Sequence, residues 1–218
     1  MKNTLLLAAA LVLATSCCHR GAETPRSSFP THAYQATVSI TNAKGKIGGA
    51  AVVLRCRTGH PLVIITAAHV ASIPFPLFVT ADARRLQPVR AFKTDAANDL
   101  ALMVGPQQRA ACREATIGDP AKPGDDVWLI GALSRRHRNV SRGVISYLQA
   151  GKAQRYTTDA AAYYGSSGGG MFDQQGRLIG IASSVTFTKF GRISVAALPG
   201  STHAIHTKHL LNLVRGVL

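Results

Sequence analysis

A histidine, an aspartate and a serine stand in three short motifs of this 218-residue sequence, in that order along the chain. His69 ends the run Ile-Thr-Ala-Ala-His, Asp99 lies in Asn-Asp-Leu-Ala-Leu, and Ser167 lies in Gly-Ser-Ser-Gly-Gly. A serine hydroxyl is a weak nucleophile until a neutral imidazole takes its proton, and a carboxylate can hold that imidazole in the required tautomer. The three residue types therefore predict acyl-transfer chemistry, with Ser167 as nucleophile, His69 as base and Asp99 as the orienting group.

Glycines surround the predicted nucleophile and allow a tight turn with positive φ. Such a turn can direct several backbone N–H groups to one point, so we expect the amides of Gly165 and Ser167 to form an oxyanion hole. Each motif alone is weak evidence, because a lone histidine is usually structural and a Gly/Ser-rich loop is usually only a turn. All three together, in this order and among predicted strands, favour catalysis.

The elements that must position these motifs have the pattern of short strands. From residue 34 onward, apolar or alternating runs are broken by Gly, Pro, Asn and Asp, which is typical of an all-β barrel or sandwich. The predicted strands are 36–40, 49–54, 62–66, 77–80, 99–104, 127–131, 140–148, 155–158, 177–183 and 193–197. One helix is predicted, at the end of the chain, with Thr207 as its cap and an apolar face of Leu210, Leu211, Val214 and Val217.

A stretch with two prolines and two terminal glycines, residues 118–124, is the best candidate for a linker. It divides the body of the chain into residues 34–118 and 119–218, each of a size that suits a small barrel. We expect two β-barrels, the second of which carries the terminal helix.

The amino terminus has the pattern of an export signal over residues 1–16. Lys2 supplies a positive charge, and residues 5–13 form an apolar run that is too short to span a membrane as a mature helix. The segment ending at Cys17 resembles a bacterial lipobox, so a lipid anchor on Cys17 and simple cleavage both stay open. Residues 17–33 are then a polar tether. The predicted location is the periplasm or cell envelope.

Two cysteines remain in the body of the chain, Cys56 and Cys112. An exported protein sits where disulfides persist. Spacing alone does not distinguish a Cys56–Cys112 bridge from two buried free thiols.

The composition excludes a disordered chain, since 46% of the residues are hydrophobic and only 16% are charged. Lys and Arg number 25 against 10 Asp and Glu, which gives a net charge of +15. Such a charge favours acidic partners. The short basic run 135–138 is interpreted as a solvated turn that could attract them, and no basic motif interleaved with aromatic residues indicates a specific nucleic-acid module.

Three histidines near the end of the chain, His203, His206 and His209, recur every three residues. No carboxylate or cysteine lies among them, so they are interpreted as incidental surface histidines rather than a zinc site. No metal and no cofactor are expected.

Further segments make the chain resemble the chymotrypsin-like serine peptidases, in particular the bacterial HtrA/Deg type. The similar segments are 48–53 before the histidine motif, 118–131, 140–146, 158–161 before the serine motif, and 172–181 after it. The resemblance covers about residues 36–215. It implies two packed six-stranded antiparallel β-barrels, with His69 and Asp99 from the first, Ser167 from the second and the active site in the cleft between them.

The sequence departs from that family's pattern at two positions next to the nucleophile. Gly170 stands where proline is usual, which predicts a looser loop, and Ser166 stands where asparagine or aspartate is usual. Without a carboxylate at 166, activation by a salt bridge from a new amino terminus is not expected. The chain ends at Leu218, so no PDZ domain is expected, and the short loops argue against a trimer.

The resemblance also places the primary substrate pocket, at Ala161, Tyr163, Ser184 and Val185. None of these residues is charged, so we expect an apolar or small substrate side chain. Asp159 could instead make a pocket acidic, but a structural hydrogen-bonding role is favoured.

The sequence as a whole predicts an exported serine endopeptidase that acts on proteins or peptides, including acidic or unfolded ones. The alternative is a catalytically silent cationic binding protein on the same fold.

Overall fold

The computed structural model describes residues 28–74, 77–79, 86–134, 137–151, 154–190 and 194–218. The predicted export signal, Cys17 and most of the predicted tether lie outside the described residues. So do the first two residues of the basic run, Arg135 and Arg136. Within the described residues, no helix is both long and apolar enough to cross a membrane.

Six antiparallel strands close the first barrel in the order β1-β2-β3-β6-β5-β4. They are β1 (Thr37–Thr41), β2 (Ile47–Arg55), β3 (Pro61–Ala67), β4 (Leu77–Val79), β5 (Gln87–Asp95) and β6 (Leu100–Gln107). Alternate side chains of β2 and β3, such as Val53 and Ile64, fill the barrel interior. The residues between them, such as Val52 and Ile65, are buried against the second barrel. Both faces of these strands are therefore covered, which explains their unbroken apolar sequences.

The second barrel repeats the same topology, in the order β7-β8-β9-β12-β11-β10. Its strands are β7 (Asp126–Ala132), β8 (Arg138–Gln149), β9 (Arg155–Thr158), β10 (Gly170–Phe172), β11 (Leu178–Phe190) and β12 (Ser194–His206). Leu129, Tyr156 and Met171 belong to its interior core. Ile130 and Phe172 point the other way, into the core shared with the first barrel. The predicted fold class, two packed six-stranded antiparallel barrels with a terminal helix, is confirmed.

Both ends of the described chain cross from one barrel to the other. The segment before β1 includes helix α1 (Thr31–Ala36), and there Phe29 packs edge-to-face on Trp128 of the second barrel at 5.4 Å. Helix α3 (Thr207–Val214) follows β12 but returns to the first barrel, where the Lys93 ammonium group donates to the Leu213 carbonyl at 2.9 Å. These crossings fix the relative position of the two barrels.

Each predicted strand has a counterpart in the structure, although most ends differ. Strands β5 and β10 were missed, as were α1 and the short helix α2 (Ala68–Ala71). Strand β5 is mostly exposed, so its sequence lacks a clear alternation, and β10 has only three residues. Whether the two halves divide into domains at residue 118 stays a prediction.

The terminal helix corrects two details of its prediction. His206, and not Thr207, is the N-cap, because its ring accepts the Lys208 amide hydrogen at 3.1 Å. Thr207 is a buried first-turn residue whose hydroxyl donates to the Ile179 carbonyl. Leu211, which was expected on the buried face of the helix, is 45% exposed, and Leu213 is buried there instead.

Cys56 and Cys112 form a disulfide bond, with their Cα atoms 5.3 Å apart. Cys56 directly follows β2, and Cys112 lies in the segment that leads to the second barrel. The disulfide excludes the alternative of two buried free thiols, which the spacing of the cysteines had left open.

Candidate active site

The three motifs meet in the cleft between the barrels, at a cavity of about 530 Å³. His69 and Ser167 line this cavity, and Asp99 lies behind His69. The described lining residues include no Lys, Arg, Asp or Glu. Another cavity, of about 680 Å³, lies on the outer face of β5 and β6 and contains none of the three motif residues.

His69 and Asp99 are held together by three hydrogen bonds. The His69 ring nitrogen Nδ1 lies 3.0 Å from each carboxylate oxygen of Asp99. The backbone amide of His69 donates to Oδ1 at 3.0 Å as well. This arrangement directs Nε2 away from the carboxylate, so that Nε2 is the ring atom left to accept a proton.

Local backbone structure places the two residues opposite each other. His69 lies in α2, immediately after β3 ends at Ala67. Asp99 follows a 3-10 turn that is capped by Asp95, and it adopts a left-handed conformation with φ of 56°, which aspartate tolerates better than most residues. Its carbonyl also accepts the Ala68 amide hydrogen at 2.9 Å, so backbone and side chain both join the turn to α2.

Ser183, which the sequence analysis did not identify, completes the surroundings of Asp99. This buried serine of β11 donates its hydroxyl to Asp99 Oδ2 at 2.6 Å. Burial raises the pKa of Asp99, but the hydrogen bonds from His69 and Ser183 outweigh it and hold the pKa below its ordinary value. Asp99 is thus kept ionised beside His69.

Ser167 lies on a loop whose shape depends on two glycines with positive φ, Gly165 at 89° and Gly168 at 81°. A Cβ atom at Gly165 would lie 2.2 Å from the Ala132 carbonyl oxygen, and one at Gly168 would lie 2.1 Å from Thr66 Oγ1. Only glycine fits at these positions. The Ser167 carbonyl accepts the Ala50 amide hydrogen at 2.8 Å, which attaches the loop to β2 of the first barrel.

The Ser167 hydroxyl forms a long hydrogen bond, 3.4 Å, to the carbonyl oxygen of Ser183. Among the described residues, no hydrogen bond joins it to His69. The backbone amides of Gly165 and Ser167 likewise donate to no atom of the described residues, so both stay available to an oxyanion. Catalytic hydrogen bonds of free enzymes are often long and shorten only when substrate binds.

Ser166 has a structural role in this loop. Its buried hydroxyl oxygen accepts the Tyr163 amide hydrogen and the side-chain amide hydrogen of Asn139, both at 2.9 Å. Asn139, on β8, is a second residue that sequence reasoning missed. The pair holds the turn that leads into Gly165.

Gly170 pairs on both sides within β10, with Ile130 and with Ile181. A Cβ atom there would lie 2.3 Å from the ring of Phe172. The Phe172 ring therefore fills space that a side chain at 170 would need. This explains how the chain accommodates glycine at that position.

The cavity contains three of the four predicted pocket residues, Tyr163, Ser184 and Val185. Ala161 does not line it. Its carbonyl instead accepts the Ser141 hydroxyl hydrogen at 2.7 Å, and Ala162 takes its place at the cavity together with Thr202. The loop has no periodicity that could have fixed this one-residue shift.

Asp159 has the structural role that the sequence favoured, since its carboxylate accepts the Val144 amide hydrogen at 2.7 Å outside the cavity. The interpretation of the late histidines as surface residues is wrong for His206 and His209, which are buried, whereas His203 is partly exposed. His206 stacks on the Tyr156 ring at 4.6 Å. The described residues include no cluster of His, Cys, Asp and Glu that could hold a metal.

Two β-barrels of equal topology, with a serine, a histidine and an aspartate at the cleft between them, define the architecture of the two-barrel serine peptidases. Residues 31–181, more than half of the chain, match the family of the trypsin-like peptidase domain. The chain belongs to this trypsin-like peptidase family. No curated protein matches it.

Solved structures of HtrA-type proteases share the fold. The HtrA-type protease AlgW with a decapeptide is 21% identical, with a TM-score of 0.70 over 85% of this chain and 65% of that one. AlgW with a tripeptide is 24% identical, with a TM-score of 0.70 over 87% of this chain and 64% of that one. The chain therefore spans less than two-thirds of the length of these structures. The predicted resemblance to HtrA-type peptidases is confirmed at the level of the fold.

Proposed function

We propose that this protein is a serine endopeptidase that hydrolyses peptide bonds of proteins through an acyl-enzyme intermediate. The observation that carries the proposal is the geometry of the cavity. His69, whose ring is hydrogen-bonded to both carboxylate oxygens of Asp99, lines this cavity together with Ser167. The backbone amides of Gly165 and Ser167 have no partner among the described residues.

In the first half of the proposed reaction, Ser167 Oγ attacks the scissile carbonyl carbon while His69 Nε2 takes the hydroxyl proton. The carbonyl oxygen becomes an oxyanion that accepts hydrogen bonds from the Gly165 and Ser167 amides. Collapse breaks the C–N bond, and His69 returns its proton to the leaving amine nitrogen. Asp99 stays ionised throughout and stabilises the imidazolium.

In the second half, water repeats these steps on the ester. His69 takes a proton from a water molecule while the water oxygen attacks the acyl carbon. The bond between that carbon and Ser167 Oγ then breaks, and His69 passes the proton to Oγ. For Ser167 to pass its proton to His69, its hydroxyl must exchange the Ser183 carbonyl for Nε2 as its hydrogen-bond partner.

The cavity supports an apolar or small substrate side chain at the primary position. Tyr163, Ser184, Val185 and the more buried Thr202 offer no charge to pair with Lys or Arg. The AlgW structures contain a tripeptide or a decapeptide, which supports peptide or protein substrates here. The net charge of +15 would attract acidic or unfolded substrates from a distance without selecting the cleaved bond.

An exported location is part of the proposal. The disulfide between Cys56 and Cys112 supports an oxidising compartment, in agreement with the signal pattern of residues 1–16. A lipid on Cys17 would additionally hold the protein at the envelope. Release of the mature protein by detergent but not by salt would support the lipid, and release by salt would contradict it.

One observation favours the rival function, a catalytically silent cationic binding protein. Within the described site the Ser167 hydroxyl bonds to Ser183 and not to His69. Turnover decides between the two functions, because only the enzyme cleaves what it binds.

The test is cleavage of a denatured protein, with the new termini mapped by mass spectrometry. Wild type should cut after small or apolar residues, Ser167→Ala should not cut, and the exposed-serine control Ser28→Ala should cut as wild type does. Cleavage that persists in Ser167→Ala, or no cleavage by folded wild type, contradicts the proposed function. Cuts mainly after Lys or Arg contradict the pocket assignment.

A further inference from the structure

The cavity of about 680 Å³ on the first barrel, called here the outer cavity, lies apart from the candidate active site. Residues of β2, β3, β5 and β6 line it, together with Gly216 and Val217, which follow α3. Strand β3 begins at the outer cavity with Pro61 and ends at Ala67, next to the helix that carries His69. The two cavities therefore lie at opposite ends of β3.

A row of four residues crosses the outer cavity from strand to strand. Arg55 of β2 lies opposite Val63 of β3. Val63 lies opposite Val104 of β6, which in turn lies opposite Arg90 of β5. Residues directly opposite each other on antiparallel strands share one face of the sheet, and all four line the cavity. Two arginines thus flank two valines, with Cα atoms roughly 14 Å apart at the usual spacing of strands.

Arg55 is partly buried and has few partners in this position. Its Nη1 donates to the Val217 carbonyl at 3.0 Å, whereas its buried Nε has no partner among the described residues. A guanidinium group offers several N–H donors and always carries its charge. Taking such a charge out of water without an opposite charge is costly. An anion in the cavity would therefore stabilise Arg55.

The outer cavity has positive charge and apolar surface but no negative charge in its described lining. Neither Arg55 nor Arg90 forms an ion pair with another described residue. The other described lining residues carry no polar side chain; they include three prolines and Phe92, which is 54% exposed. These properties are complementary to a ligand that joins an anionic group to an apolar body.

The floor of the outer cavity has no free strand edge for a peptide. Val63 and Val104 form this floor, and each pairs with a residue on both neighbouring strands. The amide groups of a peptide laid across it would leave water without gaining backbone partners from these strands, which is unfavourable. The floor therefore favours an apolar body without amide groups.

We propose that the outer cavity is a binding site for a single-chain aliphatic carboxylate, whose carboxylate pairs with Arg55 and Arg90 while its chain covers the valines and Phe92. Arginine suits this role because its planar group can donate two parallel hydrogen bonds to a carboxylate. The volume lies within the range of about 300–1,000 Å³ that is usual for small-molecule sites. The site contains no residue of the proposed catalytic machinery, so this inference goes beyond the proposed function and does not depend on it.

Isothermal titration calorimetry with octanoate tests the site on wild-type protein. Three comparison compounds each lack one property of the proposed ligand. Octanol has the chain without the charge, butyrate has the charge with a shorter chain, and an acetylated Ala-Val dipeptide has a carboxylate but carries amides in its body. Each additional buried CH₂ group should tighten binding by up to about fourfold. Octanoate should therefore bind at one saturable site, with a Kd at least tenfold lower than that of each comparison compound.

Variants at exposed positions locate the binding without disturbing the core. Arg90→Gln removes one of the two charges and should raise the Kd of octanoate about tenfold, because it removes a charge-assisted hydrogen bond. Phe92→Ala removes apolar contact and should raise the Kd several-fold. Arg113→Gln makes the same change of charge at an exposed residue outside the outer cavity and should bind octanoate as wild type does.

Each contrary outcome contradicts a definite part of the proposal. No saturable binding of octanoate contradicts the site itself. An equal Kd in wild type and Arg90→Gln contradicts its location, and binding in the active-site cavity would give this result. Octanol or butyrate binding as tightly as octanoate contradicts the need for both charge and chain, and equally tight binding of the dipeptide contradicts the ligand class. All these measurements record binding, so a protein that cleaves no peptide contradicts the proposed function and leaves this test intact.

Discussion

The two halves of the candidate site differ in how firmly their side chains are held. On the first barrel, Asp99 accepts hydrogen bonds of 3.0 Å from the His69 ring and amide and one of 2.6 Å from Ser183. On the second barrel, the Ser167 hydroxyl has one long bond of 3.4 Å, to a backbone carbonyl. The proposed base and its carboxylate are thus held by several hydrogen bonds, whereas the hydroxyl of the proposed nucleophile has a single long one.

The difference agrees with what each half must do in the proposed reaction. There His69 keeps one tautomer through both steps of acyl transfer, which requires a fixed partner. In the same reaction the Ser167 hydroxyl exchanges the Ser183 carbonyl for His69 as its hydrogen-bond partner. The position of the loop is fixed by its backbone, through Gly165, Gly168 and the bond to Ala50. Substitutions in the first half should therefore change the chemistry most, and those in the supports of the loop should have smaller effects.

The largest effect is expected from Asp99→Asn. An amide that donates to Nδ1 would favour the tautomer with a proton on Nε2, which cannot accept the Ser167 proton. The value of kcat should fall about 10⁴-fold at pH 7, measured on a peptide substrate. The surface control Asp126→Asn, which weakens an ion pair with Arg142 and affects the hydrogen bond from the Gln174 side chain, should keep full activity. A loss of less than tenfold in Asp99→Asn would contradict a fixed base.

A smaller effect is expected from Asn139→Ala, which removes the hydrogen bond to Ser166 and loosens the turn before Gly165. A displaced oxyanion hole loses interactions with the transition state more than with the bound substrate. We expect kcat to fall roughly tenfold to a hundredfold with little change in KM. Asn42→Ala, which also removes one hydrogen bond but in the turn after β1, is the matched control. Equal kinetics in the two variants would show that Asn139 does not position the loop.

Ser183→Ala should show its effect in the pH dependence of stability. The pKa of Asp99 is lower in the folded protein than its ordinary value, partly through the Ser183 hydrogen bond. The stabilisation is therefore complete above the ordinary pKa of about 4 and disappears as the pH falls through the folded-state value. The free energy of unfolding should drop by about 1–2 kcal/mol at pH 7 in the variant, and the difference from wild type should shrink below pH 4. A difference that is constant with pH would contradict this role.

The smallest effect on activity is expected from the double substitution Cys56→Ala and Cys112→Ala. The disulfide lies away from the cleft, at the end of β2, so kcat should stay within twofold of wild type. The free energy of unfolding should fall by about 2–4 kcal/mol in denaturant titrations. Wild type in the presence of reductant should behave like the variant, and a large loss of kcat would show that the disulfide positions the site.

The sequence predicts the three motif residues better than the residues that support them. His69 and Asp99 stand in motifs beside buried strands, and the resemblance to HtrA-type peptidases orders them with Ser167. Ser183 and Asn139 are single polar residues within strands, and alternation alone does not say which distant side chain they meet. The pocket is lined by Ala162 and not by the predicted Ala161 because a loop has no periodicity from which the lining residue could be deduced.

The fold was predictable where strands are buried and obscure where they are exposed. Runs such as 49–54 and 62–65 carry no polar side chain because both faces are covered. Strand β5 lacks that signal because most of its residues are exposed. His206 and His209 are buried, and His206 stacks on the Tyr156 ring, a contact between distant residues that the sequence does not reveal. The net charge of +15 describes the surface and not the cleft, whose described lining includes no Lys, Arg, Asp or Glu.

Covalent labelling can show whether Ser167 is a nucleophile that His69 activates. A fluorophosphonate probe should form one adduct on folded wild type, located on Ser167 by mass spectrometry. The adduct should be absent in Ser167→Ala, form far more slowly in His69→Ala, and form normally in the exposed-histidine control His60→Ala. No adduct on folded wild type, or an equal labelling rate in His69→Ala, would contradict the account.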